Sequence, residues 1–285
     1  MPNSDISLSR ITRENQRFFI NSTEIPGIQS VDASYDIGFS PIQYLGMSGP
    51  VNGTVRRAQV ANFNVNALLI SDDLFINYTG STGFNGYLLT SKDNITNNFG
   101  FTSGYLNSYS SSYSIGQIPT VTAGIFAYGN AGKINLLDAA NDFNNIQTSS
   151  SNLLLKVPGP GSVSLNMDEF LYNRLNYYSI DINCSKTPYY SIGNRNPTTV
   201  DINWPIEVIC SFQIELDAYE ANSFKDFPFN NNLRNLELTV NDFNTNIQIA
   251  TYQFNNLVLT AESRKASIDG GLTANLQFKT YLNRR

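Results

Sequence analysis

Histidine is absent from this 285-residue sequence, and cysteine occurs only twice, as Cys184 and Cys210. The lack of histidine excludes the usual Ser-His-Asp and Cys-His catalytic arrangements and removes the most common metal ligand. Two cysteines are too few for a disulfide framework or for a cysteine-based zinc site. Both fall on inward-facing positions of predicted strands, so we expect two buried thiols rather than a disulfide or a reactive pair.

Charged side chains are also scarce. They make up 14% of the sequence, against roughly 25% in an average soluble protein. The polar surface must therefore consist largely of Asn, Ser, Thr and Gln, without the shell of charges that keeps monomers apart. This composition suits a protein that functions inside an assembly.

Positive charge is not concentrated anywhere in the chain. The net charge is −5, and no run of Lys or Arg forms a basic stripe. Tight binding to a nucleic acid requires several phosphates to be neutralised by cations, so the sequence argues against a nucleic-acid-binding protein. A mildly acidic surface is instead compatible with a channel wall past which DNA slides without binding.

Long apolar runs are missing as well. No stretch approaches the roughly 18 apolar residues of a membrane-spanning helix. The segment Met1–Arg10 has neither a basic region nor an apolar region of the kind found in secretion signals. We therefore expect neither a membrane span nor a signal peptide.

Paired carboxylates are the main remaining route to catalysis without histidine. Asp72-Asp73 stand before Leu74 in what we interpret as an exposed turn, and Asp168-Glu169 fit the first turn of a helix. Both pairs are better explained as solvated or helix-dipole carboxylates. Gly80–Gly83 lacks the lysine of a phosphate-binding loop, and Arg56-Arg57 is interpreted as a solvated basic pair. We name no catalytic, cofactor-binding or metal-binding residue, and we expect no enzyme activity and no cofactor.

Tyrosine, by contrast, is abundant, with 16 residues. Tyrosines can form a carbohydrate-binding surface, but they are also enriched at protein–protein interfaces, and we favour the interface interpretation. The tyrosines considered for these roles are Tyr105, Tyr109, Tyr113, Tyr177, Tyr178, Tyr189 and Tyr190.

Alternation of apolar and polar residues with a period of two dominates the chain and predicts β-strands. In Trp204–Leu216 every second residue from Trp204 onward is apolar, and the residues between them are mostly polar. A matching pattern runs through Ala61–Leu69, where asparagines separate apolar residues. Further strands are predicted at Ser30–Ile37, Gly86–Thr90, Val121–Tyr128, Ser179–Cys184, Asn235–Val240, Gln253–Thr260 and Thr273–Tyr281.

Helical signals are few, so the fold class predicted is all-β, with one short helix in each half. The helical candidates are Leu74–Tyr78, Asn135–Phe143 and Met167–Leu175, the last with Asn166 as N-cap. The segment 147–163 breaks the strand pattern with a polar start and a Pro-Gly-Pro-Gly cluster. We place a linker there, between a first domain at 1–150 and a second at 151–285.

Comparison of the sequence with itself supports a duplication. Short blocks recur in the same order, and the offsets between matched residues lie between 147 and 151. Each match alone is weak, but collinear matches at a nearly constant offset indicate a repeated domain of ordinary size. The matches are Ser30–Ala33 with Ser179–Ile182, Ser40–Gly46 with Thr187–Gly193, Pro50 with Pro197, Phe63–Asn66 with Phe212–Glu215, and Thr122–Ile125 with Thr273–Leu276.

The run Tyr105–Gly129 resembles a segment of phage tail structural proteins. In this family a Leu-x-Ser-Tyr-Ser strand leads through a turn with Gly and Pro into a Thr/Ser-Ala-x-Phe strand. The matching residues are Leu106–Ser110, then Gly116 and Pro119, then Thr122–Phe126. The segment Ile25–Val31, which leads to Ser40-Pro41 and Leu45-Gly46, is similar to the first hairpin of a tail-tube domain.

The resemblance implies two tandem β-sandwich or barrel domains of the tail-tube type. Such domains pair strands across subunits to form a ring, and two domains per chain suit either a trimer or a hexamer. The expected function is a virion structural protein of the tail: a tube, hub or adaptor ring that lines a channel for DNA and contacts neighbouring tail or baseplate proteins. We expect it in the virion tail after synthesis in the host cytoplasm. The alternative is a β-sandwich adhesin or fibre-associated module that binds glycans.

Overall fold

The computed structural model describes residues 16–134, 158, 162–216 and 233–283, except positions 22, 37–38, 43–44, 47, 50–51, 56–59, 71, 81, 93–94, 168–169, 173, 195 and 268–269. Within these ranges the protein consists of antiparallel strands, turns and connecting segments. Their only helical segment is a single turn of 3-10 helix at Phe75–Tyr78. The prediction of an all-β fold is confirmed.

Nineteen strands make up this part of the chain. The first ten are β1 Gln16–Ile20, β2 Thr23–Glu24, β3 Ile28–Asp36, β4 Phe39–Ile42, β5 Asn52–Val55, β6 Val60–Leu68, β7 Phe84–Lys92, β8 Ile95–Ser114, β9 Thr120–Ala127 and β10 Ala131–Gly132. The other nine are β11 Val163–Met167, β12 Phe170–Tyr172, β13 Leu175–Asn183, β14 Lys186–Tyr189, β15 Thr199–Ile202, β16 Ile206–Leu216, β17 Arg234–Asn241, β18 Gln248–Ser267 and β19 Gly270–Leu282.

The predicted alternation is clearest in β16. Every second residue of this strand, from Ile206 to Leu216, is buried, and the residues between them are half-buried. Burial of one such large apolar side chain stabilises the fold by roughly 1.5–3 kcal/mol. This regular burial explains why the segment forms a strand at the centre of a sheet.

The helix predicted at Met167–Leu175 is wrong. Met167 ends β11 and pairs with Phe170 of β12, so this stretch contains a tight β-hairpin. Met167 is almost completely buried, and its apolar contacts outweigh the N-cap signal of Asn166. The candidate helix at Leu74–Tyr78 is the 3-10 turn, and Asn135–Phe143 lies outside the described residues, as does most of the linker.

Fifteen of the strands form one continuous antiparallel sheet. In the first half the strands pair in the order β3-β6-β9-β8-β7-β1-β2, and in the second half the order is β13-β16-β19-β18-β17-β11-β12. The two small hairpins, β4–β5 and β14–β15, occupy corresponding places in the chain. The fifteenth strand, the two-residue β10, pairs with β8. Apart from β10, the plan of strand pairing is therefore the same in residues 16–134 and 163–282.

The two halves meet where β8 pairs with β13. The N-terminal part of β8 pairs with β7, and its C-terminal part lies between β9 and β13. Phe101, in the N-terminal part of β8, packs on Phe63 of β6, with ring centroids 4.6 Å apart, although β6 and β8 do not pair. This contact brings two layers of the sheet face to face, and the buried residues of both halves form one continuous core.

Candidate assembly surfaces

Eight strands form a layer with one polar face, in the order β3-β6-β9-β8-β13-β16-β19-β18. The other face of the same strands is the core side, with buried residues such as Val65, Tyr109, Ile180 and Phe212. Strand alternation and pairing register place mostly Ser, Thr, Asn, Gln and acidic residues on the polar face. Its polar residues include Ser30, Asp32, Ser34, Asp36, Asn62, Asn64, Asn66, Thr122, Ser108, Ser110, Ser112, Ser179, Asp181, Asn183, Glu207, Ser211, Gln213, Glu215, Thr273, Asn275, Gln277, Lys279, Ser263 and Lys265.

Negative charge predominates on this polar face. The described residues on this face include five carboxylates and two lysines, Lys265 and Lys279. Lys279 donates a hydrogen bond to Glu207 at 2.9 Å, and this partner raises the pKa of the lysine. The face as a whole is therefore neutral-polar with an acidic bias.

Hydrogen bonds connect neighbouring strands across the polar face. Asn66 Nδ2 donates to Ser30 Oγ at 2.9 Å, and Thr122 Oγ1 donates to Asn66 Oδ1 at 2.7 Å. Farther along, Ser110 Oγ donates to Asp181 Oδ1 at 2.7 Å. These bonds satisfy side chains that are only half-exposed, so they fix the polar side chains of neighbouring strands relative to one another.

The β8–β13 joint connects the halves through seven residue pairs, from Tyr177 with Ser114 to Asn183 with Ser108. Beyond the last pair, the Cys184 N–H donates to the Asn107 carbonyl at 2.8 Å. On the core side most of the joint's residues are buried. We call this contact the internal joint.

Two strand edges at opposite ends of the eight-stranded layer are open. Within the described ranges, no strand pairs with the outer edge of β3 or with the outer edge of residues 258–267 of β18. All five residues from 32 to 36 are exposed, including Tyr35 at 59%. A long unpaired edge of this kind readily pairs with another chain.

Four β-bulges fix how the two halves correspond. An extra residue interrupts the pairing at Gln29 in β3 and at Asn176 in β13. In the same way, one extra residue occurs at Asn107 in β8 and at Thr260 in β18. Because bulges are specific structural features rather than random defects, β3 corresponds to β13 and β18 corresponds to β8. The two open edges are thus the counterparts of the two edges that pair in the internal joint.

The predicted exposure of Asp73 is wrong. Its carboxylate accepts hydrogen bonds from the hydroxyls of Tyr109 and of Tyr252, the latter at 3.0 Å, and from the Phe75 N–H at 3.1 Å. Burial raises the pKa of Asp73, against the opposing effect of these hydrogen bonds. The Tyr252 hydroxyl also lies 3.1 Å from Ser111 Oγ. Because Tyr252 is on β18 and Tyr109 on β8, this polar cluster ties the two halves together.

The cluster was invisible in the sequence, since Asp73 and Tyr252 are 179 positions apart. Asp72 is exposed, as predicted. Asp168-Glu169 and Arg56-Arg57 lie outside the described residues. No group of three or more Cys, Asp or Glu in the described ranges is arranged to hold a metal ion, and no described helix is long and apolar enough to cross a membrane.

Both cysteines are fully buried free thiols, as predicted. Burial raises the pKa of Cys184 and of Cys210. Near Cys184, the buried Lys186 donates hydrogen bonds to the carbonyls of Leu106 and of Cys184, the second at 3.2 Å. Burial lowers the pKa of Lys186, and its bond to the Leu106 carbonyl is a further polar link between the halves.

Of the seven tyrosines considered, Tyr105 is half-buried and packs against Tyr128, with ring centroids 5.8 Å apart. The other six divide into two groups. Tyr109, Tyr113 and Tyr178 are core residues, so they cannot form a recognition surface. The exposed members are Tyr177, Tyr189 and Tyr190, at 36%, 53% and 46%. The interface interpretation therefore applies only to the second group.

No family model and no curated protein sequence matches the chain. Among solved structures, Hcp1 from Flavobacterium johnsoniae is 11% identical with a TM-score of 0.27, over 43% of this chain and 95% of Hcp1. A chain from the virion of a native gene transfer agent particle is 12% identical with a TM-score of 0.32, over 44% of this chain and 96% of the other. Both TM-scores are below 0.5, so the function proposed below rests on this chain's own geometry.

Proposed function

We propose that the protein is a structural component of a phage tail, which forms a ring or tube by pairing strands between subunits. In this proposal the chain comprises two tandem tube-like domains, 1–150 and 151–285. The observation that carries it is the relation between the internal joint and the two open edges. The chain already joins β8 to β13, and the counterparts of both strands, β18 and β3, lie unpaired at opposite ends of the same layer.

Edge pairing explains why such exposed strands persist in a folded protein. Each backbone hydrogen bond formed in a joint contributes roughly 0.5–1.5 kcal/mol net. A head-to-tail contact between different edges closes into a ring when the rotation between subunits allows it, and closure leaves no unpaired edge. A trimer or a hexamer would satisfy this condition.

The polar face supplies the channel lining in this proposal. Its Ser, Thr and Asn residues offer neutral hydrogen-bonding groups, and the excess of carboxylates repels DNA phosphates rather than binding them. A lumen of this kind lets DNA pass without specific binding. The protein then needs no enzyme activity and no cofactor, and its place is the virion tail after synthesis in the host cytoplasm.

Neighbouring tail or baseplate proteins require a different surface. Leu45 and Ile192 project at corresponding tips of the β4–β5 and β14–β15 regions, and both are fully exposed. Each is followed by a glycine with a left-handed backbone, Gly46 at φ +95° and Gly193 at φ +89°. These apolar tips are our candidates for contacts along the tail, whereas most of residues 91–104 belong to paired strands.

The experiment is a measurement of mass in solution across concentration, with negative-stain images of the same samples. Rings or tubes with a central hole, or a stable species of three or six chains of 31.7 kDa, are expected. Ala33→Pro is the edge-blocking variant, because proline removes a backbone N–H and its ring hinders pairing on that side.

The fold should tolerate this substitution. The Leu68 N–H donates to the Gly27 carbonyl at 2.8 Å, so the even-numbered residues of β6 direct their backbone groups toward β3. Beyond the bulge, their partners Ser30, Asp32 and Ser34 therefore direct their own N–H groups toward β6. The Ala33 N–H points away from β6, and Ala33→Ser, which keeps this N–H, is the matched control. A protein that stays monomeric at high concentration would refute the proposal. The glycan-binding alternative would then be tested at the groove lined by Trp204 and Tyr281.

A further inference from the structure

We infer that the joint between copies is an antiparallel pairing of β3 of one copy with residues 261–267 of β18 of the next, with Asp32 opposite Lys265. This inference rests on the proposed function and names the partner as a second copy of this chain. It also fixes the register, which edge exposure alone does not determine.

The register follows from the internal joint. There, Ser179 pairs with Ser112 and Asp181 pairs with Ser110. Counting from the shared bulges, Ser179 corresponds to Asp32 and Ser112 corresponds to Lys265. The same correspondence places Ser34 opposite Ser263 and Ser30 opposite Ser267.

Charge favours this partner over a second copy of the same edge. The open edge of β3 carries Asp32 and Asp36 and no basic residue, whereas the edge of β18 carries Arg264, Lys265 and Glu262. Two β3 edges would bring carboxylates together, and like charges directly opposite are destabilising. Pairing β3 with β18 instead places a carboxylate opposite an ammonium group at the centre of the joint.

Side chains at this position come close together. In the internal joint, the Cys184 N–H donates to the Asn107 carbonyl. Every second residue pair counted from Cys184 and Asn107 is therefore a hydrogen-bonded pair. The pairs between them, including Ser179 with Ser112, are non-hydrogen-bonded pairs, where opposite Cα atoms are only about 4.5 Å apart. Asp32 and Lys265 occupy the corresponding positions, and within the described ranges neither forms an ion pair in the isolated chain.

The first test is disulfide formation between copies that each carry one new cysteine. Mixing Ser34→Cys protein with Ser263→Cys protein, or Ser30→Cys with Ser267→Cys, is expected to give a two-chain product under mild oxidation. The matched controls recombine the same four variants out of register: Ser34→Cys with Ser267→Cys, and Ser30→Cys with Ser263→Cys. Opposite residues are then displaced by four positions, about 13 Å along the strand, so at least tenfold less product is expected. The native thiols are buried and do not interfere.

The second test is a charge exchange. Asp32→Lys alone and Lys265→Asp alone should each raise the concentration required for assembly about tenfold, because each places like charges opposite one another. The double variant carries both changes and should return to the wild-type value.

The outcomes separate the two proposals. Rings that form with equal disulfide yields in and out of register, or a double variant impaired as much as both single variants together, would overturn the joint assigned here and leave the ring proposal standing. A wild-type protein that gives no assembly and no two-chain product would overturn both.

Discussion

Removal of the Asp73 carboxylate should destabilise the protein far more than its position in a surface segment suggests. Asp73→Ala removes the acceptor shared by the Tyr109 and Tyr252 hydroxyls and the partner of the Phe75 N–H. The two hydroxyls retain other acceptors, because Tyr109 can donate to the Tyr252 oxygen at 3.0 Å and Tyr252 to Ser111 Oγ at 3.1 Å. The Phe75 N–H loses its side-chain partner, and both tyrosines exchange a bond to a charged acceptor for a weaker one to a neutral oxygen. A buried donor left without a partner costs about 1–3 kcal/mol. Removal of the carboxylate also relieves the unfavourable burial of that group, which offsets part of the loss. We expect the free energy of unfolding to fall by about 1–3 kcal/mol.

The assay is urea denaturation, with Asp72→Ala as the matched control. Asp72 is the same residue type one position earlier, and it is exposed. Because a polar contact of an exposed charged side chain contributes at most about 1 kcal/mol, its removal should cost less than that of Asp73. Tyr252→Phe should account for part of the loss, and the two changes together should cost less than their sum because they break the same contact. Equal effects of Asp73→Ala and Asp72→Ala would show that the cluster does not hold the halves together.

Two further predictions concern titration and thiol chemistry. Because burial raises the folded-state pKa of Asp73 above 3.8, the stability of the wild type relative to Asp73→Asn should be greatest below pH 3.8 and decline as pH rises through the folded-state pKa. The slope is at most about 1.4 kcal/mol per pH unit, and a difference that grows with pH in denaturation curves would contradict this assignment. Cys184 and Cys210, both buried with raised pKa values, should react with an aromatic disulfide reagent only after unfolding, and rapid labelling of the native protein would show that the core opens.

Strands whose alternation is regular were predictable from the sequence. The segment Trp204–Leu216 contains β16, and Ala61–Leu69 differs from β6 by one residue at each end. The N-terminal part of β8 was not among the predicted strands because it is rich in Asn, Gly and Ser. The structure explains its Gly100, since a Cβ there would lie 2.2 Å from the Gly86 carbonyl oxygen. Close packing of two strands thus selects a residue that, in a sequence, indicates a turn.

The similarity of the two halves was predictable from the sequence, but the exact residue-to-residue correspondence between them was not. The sequence comparison matched Ser30 with Ser179, whereas the bulges at Gln29 and Asn176 make Tyr177 the counterpart of Ser30. A shift of two positions keeps every side chain on the same face, so small polar residues on alternating positions match almost equally well in either alignment. The contacts of Asp73 were unpredictable for another reason, because they depend on the packing of distant strands.

The composition of the open edges fits a contact that forms only after the chain has folded. The internal joint is already formed in the folded chain, and its core side carries the buried Ile180 and Ile182. At the corresponding positions the open β3 edge carries Ala33 and Tyr35. An edge as apolar as the internal joint would pair with any exposed strand before assembly, and charged residues are the usual protection against such pairing. The proposed joint between copies would therefore be weaker per contact than the internal one, and charge would select the correct partner where apolar burial could not.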